Sequence, residues 1–228
     1  MLQKEPIGSH PPRFLDVGCC VGQVLRKLTA DGVDSSRLYG TDLESRFHDA
    51  GYDLFRDRET FKGSFVAGDM LRKTESGRER KSKGASRRTS TDDPLEALDG
   101  KMTYIHAASF FHLFTWDEQL RAAIRMQRFL SSTDSTTTRT DSSDSRTRLK
   151  AMIFGRQVGT LTPRERLGKQ GSDKVYLHNA ESWQMLWDEV GALTGTEWAA
   201  AMYPIETIRT ATPESSLRKM AFCVVRRT

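Results

Sequence analysis

Short apolar runs in this chain alternate with longer stretches in which apolar residues recur every three or four positions. That is the pattern of strands alternating with amphipathic helices. Arg13–Val17 reads as a first strand ending in a Gly/Cys turn. The next segment, Val21–Asp31, sets Val21, Val24, Leu25 and Leu28 on one helical face before Gly32 stops it. Leu38–Thr41 is a second strand closed by Asp42, and Ser45–Arg58 a helix with Phe47, Ala50, Gly51, Leu54 and Phe55 expected inward. Phe65–Ala67 is a third strand, followed by Gly68-Asp69.

Met102–Ala107 then reads as a fourth strand, and Trp116–Leu130 as a helix capped by Thr115 with Leu120, Ala123, Ile124 and Phe129 inward. Ala151–Phe154 is a fifth strand. Asn179 caps a helix over Ala180–Ala192 whose stripe is Trp183, Leu186, Trp187 and Val190. Two β-rich runs, Trp198–Tyr203 and Met220–Arg226, close the chain as an expected antiparallel hairpin. Strand and helix in strict alternation predict an α/β fold, a mostly parallel sheet with helices on both faces.

Two segments break the pattern. Residues 72–94 hold one apolar side chain and 131–148 hold none, and both fall in connections flanking the fourth strand and its helix. A single domain over 1–228 with hydrophilic, disordered inserts is the resulting expectation. The first insert carries eight Lys/Arg against four Asp/Glu, so it accounts for most of the net charge of +5. Excess charge in one hydrophilic run reads as solvated loop rather than a nucleic-acid face. Arg87-Arg88-Thr89-Ser90 within it has the look of a basophilic kinase site. Cys19, Cys20 and Cys223 supply neither a disulfide framework nor a zinc ligand set, so no metal is expected. The opening MLQKEPIGSHPPRF has no apolar core of a leader, and the longest clean apolar run, Met220–Val225, is far short of a membrane span. The expectation is a soluble protein of the reduced cytoplasm.

The stretch richest in chemistry is FLDVGCCVG, residues 14–22, running from strand into helix. Gly18 and Gly22 remove Cβ atoms where a ligand must approach bare backbone at a strand's carboxyl end. A dinucleotide site starting at Gly18 would need glycine at 20 and 23, but the chain has Cys20 and Gln23. The S-adenosylmethionine (SAM) fingerprint, acid-x-G-x-G-x-G, fits better: Asp16, Gly18 and Gly22 match, and Cys20 takes the middle glycine's place. Asp42 at the end of the second strand is placed for two ribose hydroxyls. Asp69 is placed for the adenine amino group, with Met70 against the ring.

The order and wording of these motifs resemble a class I SAM-dependent methyltransferase, and more narrowly the fungal methyltransferases of meroterpenoid and related secondary-metabolite clusters. The resemblance is carried by FLDVGCCVGQVLRKL (14–28), LYGTDLESRFHDAGYDLFRDRETF (38–61), FVAGDML (65–71), ASFFHLFTWDEQL (108–120), GRQVG (155–159) and HNAESWQMLWDEVGALTGTEW (178–198). It implies a Rossmann-like seven-stranded sheet in the order 3-2-1-4-5-7-6 with the seventh strand antiparallel. It also implies Asp42, Leu43, Asp69 and Met70 as cofactor contacts, and methyl transfer to a small hydrophobic acceptor, often at a carboxylate. Family members carry a longer segment ahead of the first strand. The rival expectation is therefore a methyltransferase-like protein, catalytically impaired because part of its N-terminal cofactor cover is lacking. The expected partner is the small-molecule acceptor, with no nucleic acid; the sequence also allows a homodimer.

Methyl transfer is an in-line displacement governed by positioning and exclusion of water. A carboxylate acceptor needs no general base, whereas a phenol benefits from one. Candidates after the fourth strand are Ser109, His112 and Trp116, with His112 the one nearest an expected acceptor. His106, inside the strand, reads as structural. Arg156, at the expected end of the fifth strand with Gln157, is suited to pair with an acceptor carboxylate. Trp183, Trp187 and Phe154 are expected in the core. Cys19 and Cys20 are expected to pack the cofactor loop.

Overall fold

The computed structural model describes residues 11–72, 93–131, 151–168, 174–208 and 216–227. Most of both hydrophilic inserts, and the Arg87–Ser90 pattern, lie outside the described residues. The element order is β1 (Phe14–Val17), α1 (Gln23–Ala30), β2 (Leu38–Asp42), α2 (Arg46–Phe55), β3 (Ser64–Ala67), β4 (Tyr104–His106), α3 (Trp116–Phe129), β5 (Met152–Thr160), β6 (Arg164–Leu167), β7 (Lys174–Leu177), α4 (Ala180–Thr194), β8 (Trp198–Thr207) and β9 (Leu217–Arg226).

Seven strands form one sheet in the order β3-β2-β1-β4-β5-β9-β8, and β6 with β7 forms a separate hairpin sheet. β1 to β5 pair in parallel, while β9 runs antiparallel between β5 and β8. The expected order therefore holds for the main sheet, and the strand numbers shift only because the hairpin intervenes.

The helices begin where their caps dictate. Thr115 and Asn179 each close a capping box, with Glu118 and Ser182 answering at the third helical position. Gly195, left-handed, ends α4. On the α3–α4 face of the sheet, Leu15, Ile105, Ile153, Phe222 and Val224 join Met126, Phe129, Trp183, Leu186 and Trp187 in one buried cluster. A smaller cluster of Leu25, Leu38 and Phe61 lies under α1 on the other face. Arg125 on α3 pins both ends of the first insert: it pairs with Asp93 at 2.6 Å and donates to the Arg72 carbonyl at 3.2 Å.

Three local expectations are corrected. α2 turns His48, Gly51 and Tyr52 inward, leaving Phe47, Ala50, Leu54 and Phe55 on the exposed side. A Cβ on Gly51 would sit 2.4 Å from the Val21 carbonyl oxygen, so the helix docks through the one position where the β1–α1 loop comes that close. β5 runs on to Thr160 instead of stopping at Phe154, because β9 pairs with it over nine positions. Phe154 is half-buried, not core, since it faces away from α3 and α4.

Candidate functional site

The site is built at the carboxyl ends of β1, β2 and β4. The chain leaves β1 through three left-handed residues at alternate positions, Gly18 (φ 69°), Cys20 (φ 50°) and Gly22 (φ 72°). Gly22 has no freedom to change, because a Cβ there would meet Arg26 and Phe65 at 2.6 and 2.8 Å. Cys20 accepts the left-handed conformation that glycine would take without cost. Its N–H donates to Asp42 Oδ2 at 2.9 Å, and Asp42 Oδ1 accepts from the Glu44 N–H at 3.2 Å. Asp42 is thus fixed by backbone donors, with the remaining lone pairs of a half-buried carboxylate at the tip of β2. Leu43 beside it is 72% exposed.

Arg26 holds the bend from beneath. It is nearly buried, forks onto Asp57 at 2.8 and 3.0 Å, and donates to the Val21 carbonyl at 2.9 Å. Its guanidinium lies 4.7–5.5 Å from the rings of Tyr52, Phe55, Phe61 and Phe65. Cys19 is buried, and burial followed by the charges of Asp16 and Asp42 pushes its thiol pKa up, so it packs as a neutral residue.

Asp16 is only 3% exposed, and its Oδ1 lies 2.8 Å from His106 Nδ1. Burial raises its pKa; the His106 hydrogen bond and charge oppose this, and Asp42 adds to the rise. His106, expected to be structural, is thus in direct contact with the carboxylate at the tip of β1. Asp16 and His106 pair directly across the parallel register of β1 and β4.

Asp69 is exposed, and its Oδ1 accepts from the Leu71 N–H at 2.8 Å. Met70 is 7% exposed and joins the main core cluster, so it is a core residue rather than an open wall. Beyond β4, Ser109 is left-handed, and its N–H binds the Arg156 carbonyl at 2.6 Å. His112 lies half-buried in the short helical turn Phe111–Leu113. Trp116 donates to Glu189 at 2.8 Å. Arg156 is exposed within β5 on the same sheet face as Phe154, whereas Gln157 turns into the buried face.

The β6–β7 hairpin is joined to this edge by the Tyr176 N–H, which binds the Phe114 carbonyl at 2.9 Å. Leu113, Leu161 and Leu167 on these elements are each more than half exposed. Among the described residues no group of His, Cys, Asp and Glu could hold a metal ion, and no helix is long and apolar enough to cross a membrane.

Comparison with solved structures matches this arrangement over nearly the whole chain. The [4+2]-cyclase SpnF superposes with a TM-score of 0.58 at 11% identity, covering 97% of this chain and 78% of the other. The Burkholderia thailandensis 1,6-didemethyltoxoflavin-N1-methyltransferase, solved with S-adenosylhomocysteine, gives 0.54 at 11% identity over 96% and 72%. The chain shares the fold of these proteins, a mostly parallel seven-stranded sheet flanked by helices.

By sequence it resembles fungal methyltransferases. It is 40% identical to the O-methyltransferase phiE of a fungal species over 85% of this chain and 54% of the relative. It is 34% identical to the Asnovolin E/Chermesin D methyltransferase nvfJ of Aspergillus novofumigatus, over 81% of this chain and 55% of that protein. The chain spans about half the length of these relatives. No family model matches it.

Proposed function

We propose that the protein is a SAM-dependent O-methyltransferase acting on a small hydrophobic natural-product acceptor at a carboxylate. Fold alone is an insufficient warrant, since SpnF carries the same fold under the name of a cyclase. The observation that carries the reading is the pair of carboxylates, Asp16 and Asp42, on neighbouring strand tips around the left-handed Gly18–Cys20–Gly22 bend. The 40% identity to an O-methyltransferase points the same way. The residues fit the cofactor. Asp42 is fixed by backbone donors and has lone pairs left for ribose hydroxyls, and exposed Leu43 offers an apolar wall to a purine. Asp69 is exposed just beyond β3, where the reading assigns it to the adenine amino group, and Asp16 supplies negative charge for an amino-acid ammonium.

When bound, SAM supplies a methyl group activated on a sulfonium. The protein's part is to orient and to exclude water. The role assigned to Arg156, exposed on β5, is to pair with the acceptor carboxylate and orient it for transfer. Because that carboxylate is already ionised, no side chain has to remove a proton; His112 then lines the acceptor side rather than acting as a base. Leu113, Leu161 and Leu167 offer apolar contact to the rest of the acceptor.

The test is transfer of label from [methyl-³H]SAM to an extract of fungal metabolites, with products separated before and after mild alkaline hydrolysis. Label in a base-labile methyl ester is the expected result. Label in alkali-stable products only would refute the carboxylate acceptor, and no transfer at all would refute the enzyme.

A further inference from the structure

We propose that His106 is a positioning residue that sets the charge and the aim of Asp16, making the pair a proton-gated seat for the α-ammonium of the cofactor. The proposal rests on the cofactor reading above and deepens it.

The geometry leaves the imidazole little choice. Its ring stacks on Phe14 at 6.1 Å with an interplanar angle of 23° and meets Phe154 at 5.4 Å, and those two rings are themselves 6.3 Å apart, so the three form one aromatic cluster. Packed against this cluster, His106 presents Nδ1 to Asp16 Oδ1 at 2.8 Å. The parallel register of β1 and β4 sets the two residues side by side, so the contact is built into the sheet and not into a mobile loop. The two side chains differ in access: that of Asp16 is 5% exposed and that of His106 is 15% exposed. The imidazole can therefore exchange its proton with solvent while the carboxylate stays shielded.

The charges follow. With a neutral imidazole donating from Nδ1–H, Asp16 remains a carboxylate and the pair carries one negative charge. With a protonated imidazole the pair is an ion pair with no net charge, and its attraction for an ammonium falls. Other groups facing the pair are few among the described residues. Asp42 on β2 repels the Asp16 charge, and Cys19 on the loop stays a neutral thiol. Tyr104 lies two positions back on β4 on the same face, and Arg156 lies on β5 two positions past Phe154. A fixed hydrogen-bond donor is thus what lets a shielded carboxylate beside Asp42 keep its charge for a ligand.

Two probes separate this role from simple packing. S-adenosylhomocysteine carries the amino-acid ammonium, whereas 5′-methylthioadenosine has the adenosine end without it. Both are titrated calorimetrically into the full chain from about pH 5.5 to about pH 8, the range in which histidine changes charge. The wild type should bind S-adenosylhomocysteine about tenfold more tightly at the upper end, as expected for a charged hydrogen bond, with methylthioadenosine unchanged. His106→Asn, whose amide nitrogen replaces Nδ1–H, should keep the tight binding and lose the pH dependence. His106→Leu should bind S-adenosylhomocysteine about tenfold less tightly at the upper end and methylthioadenosine normally.

An unchanged pH profile in His106→Asn overturns the proposal. So does equal weakening of both probes in His106→Leu, which marks a packing role. If methylthioadenosine binds the wild type as tightly as S-adenosylhomocysteine does, the ammonium seat is wrong while the adenosine site stands. If neither probe binds the wild type, the cofactor reading fails and takes this proposal with it.

Discussion

Two faces of one sheet, sharing the same strands and register, are finished in different ways. On the α3–α4 side, Leu15, Ile105, Ile153, Val224, Trp183 and Trp187 are wholly buried. On the other side the alternate residues Phe14, Tyr104, Met152 and Phe154 are half-buried and line a groove of about 570 Å³ bordered by Leu28 of α1. Alternation puts apolar side chains on both faces of these strands, so the strand sequences alone do not distinguish them. The difference comes from α3 and α4, whose tryptophans fill one side.

The two faces also treat histidine differently. On the covered side His178 is buried between Ser182 and Gln119, each at 3.0 Å, and burial pushes its pKa down to about 3. On the open side His106 keeps an edge near solvent and a carboxylate partner. The first is a neutral structural joint tying α3 to α4. The second is a hydrogen-bond partner of a strand-tip carboxylate.

The sharpest way to break this comparison is truncation on each face. Trp183→Ala on the covered face should cost about 3–5 kcal/mol in urea unfolding, because it opens a cavity among rings that cannot collapse. Phe154→Ala should cost about 1–2 kcal/mol, since half of the lost contact was with solvent. Equal losses would mean that the open face is as tightly packed as the covered one.

A smaller effect separates the histidines. The unfolded chain protonates His178 near its ordinary pKa of about 6.5, while the folded chain resists down to about 3. Stability from this residue is therefore complete above about pH 6.5 and declines as pH falls below it, on the order of 1 kcal/mol per unit. His178→Asn should flatten that acid slope in the urea midpoint. A slope that persists unchanged would place the acid sensitivity elsewhere.

Much of this was legible in the chain. The alternation of strands and helices, the caps at Thr115 and Asn179, and the glycine bend follow from period, capping chemistry and spacing, whereas the strand order came from the family resemblance. The β6–β7 hairpin did not show because β6 is exposed at every residue, giving no apolar face to read. The inner face of α2 was misread in part: Gly51 is inward as expected, but His48 and Tyr52 join it in place of Phe47, Leu54 and Phe55. Docking is centred on Gly51, the position with no Cβ. The Asp16–His106 contact joins residues 90 positions apart, and it becomes readable only once β1 and β4 are known to be neighbours in register.

The central claim is that carboxylates on adjacent strand tips hold an adenosyl ligand. It is met most directly by titrating S-adenosylhomocysteine into the wild type and into Asp42→Ala in one calorimeter. Losing the hydrogen bonds of a charged acceptor to two ribose hydroxyls should weaken binding by about 10- to 100-fold. Equal affinity in the two proteins would contradict the account.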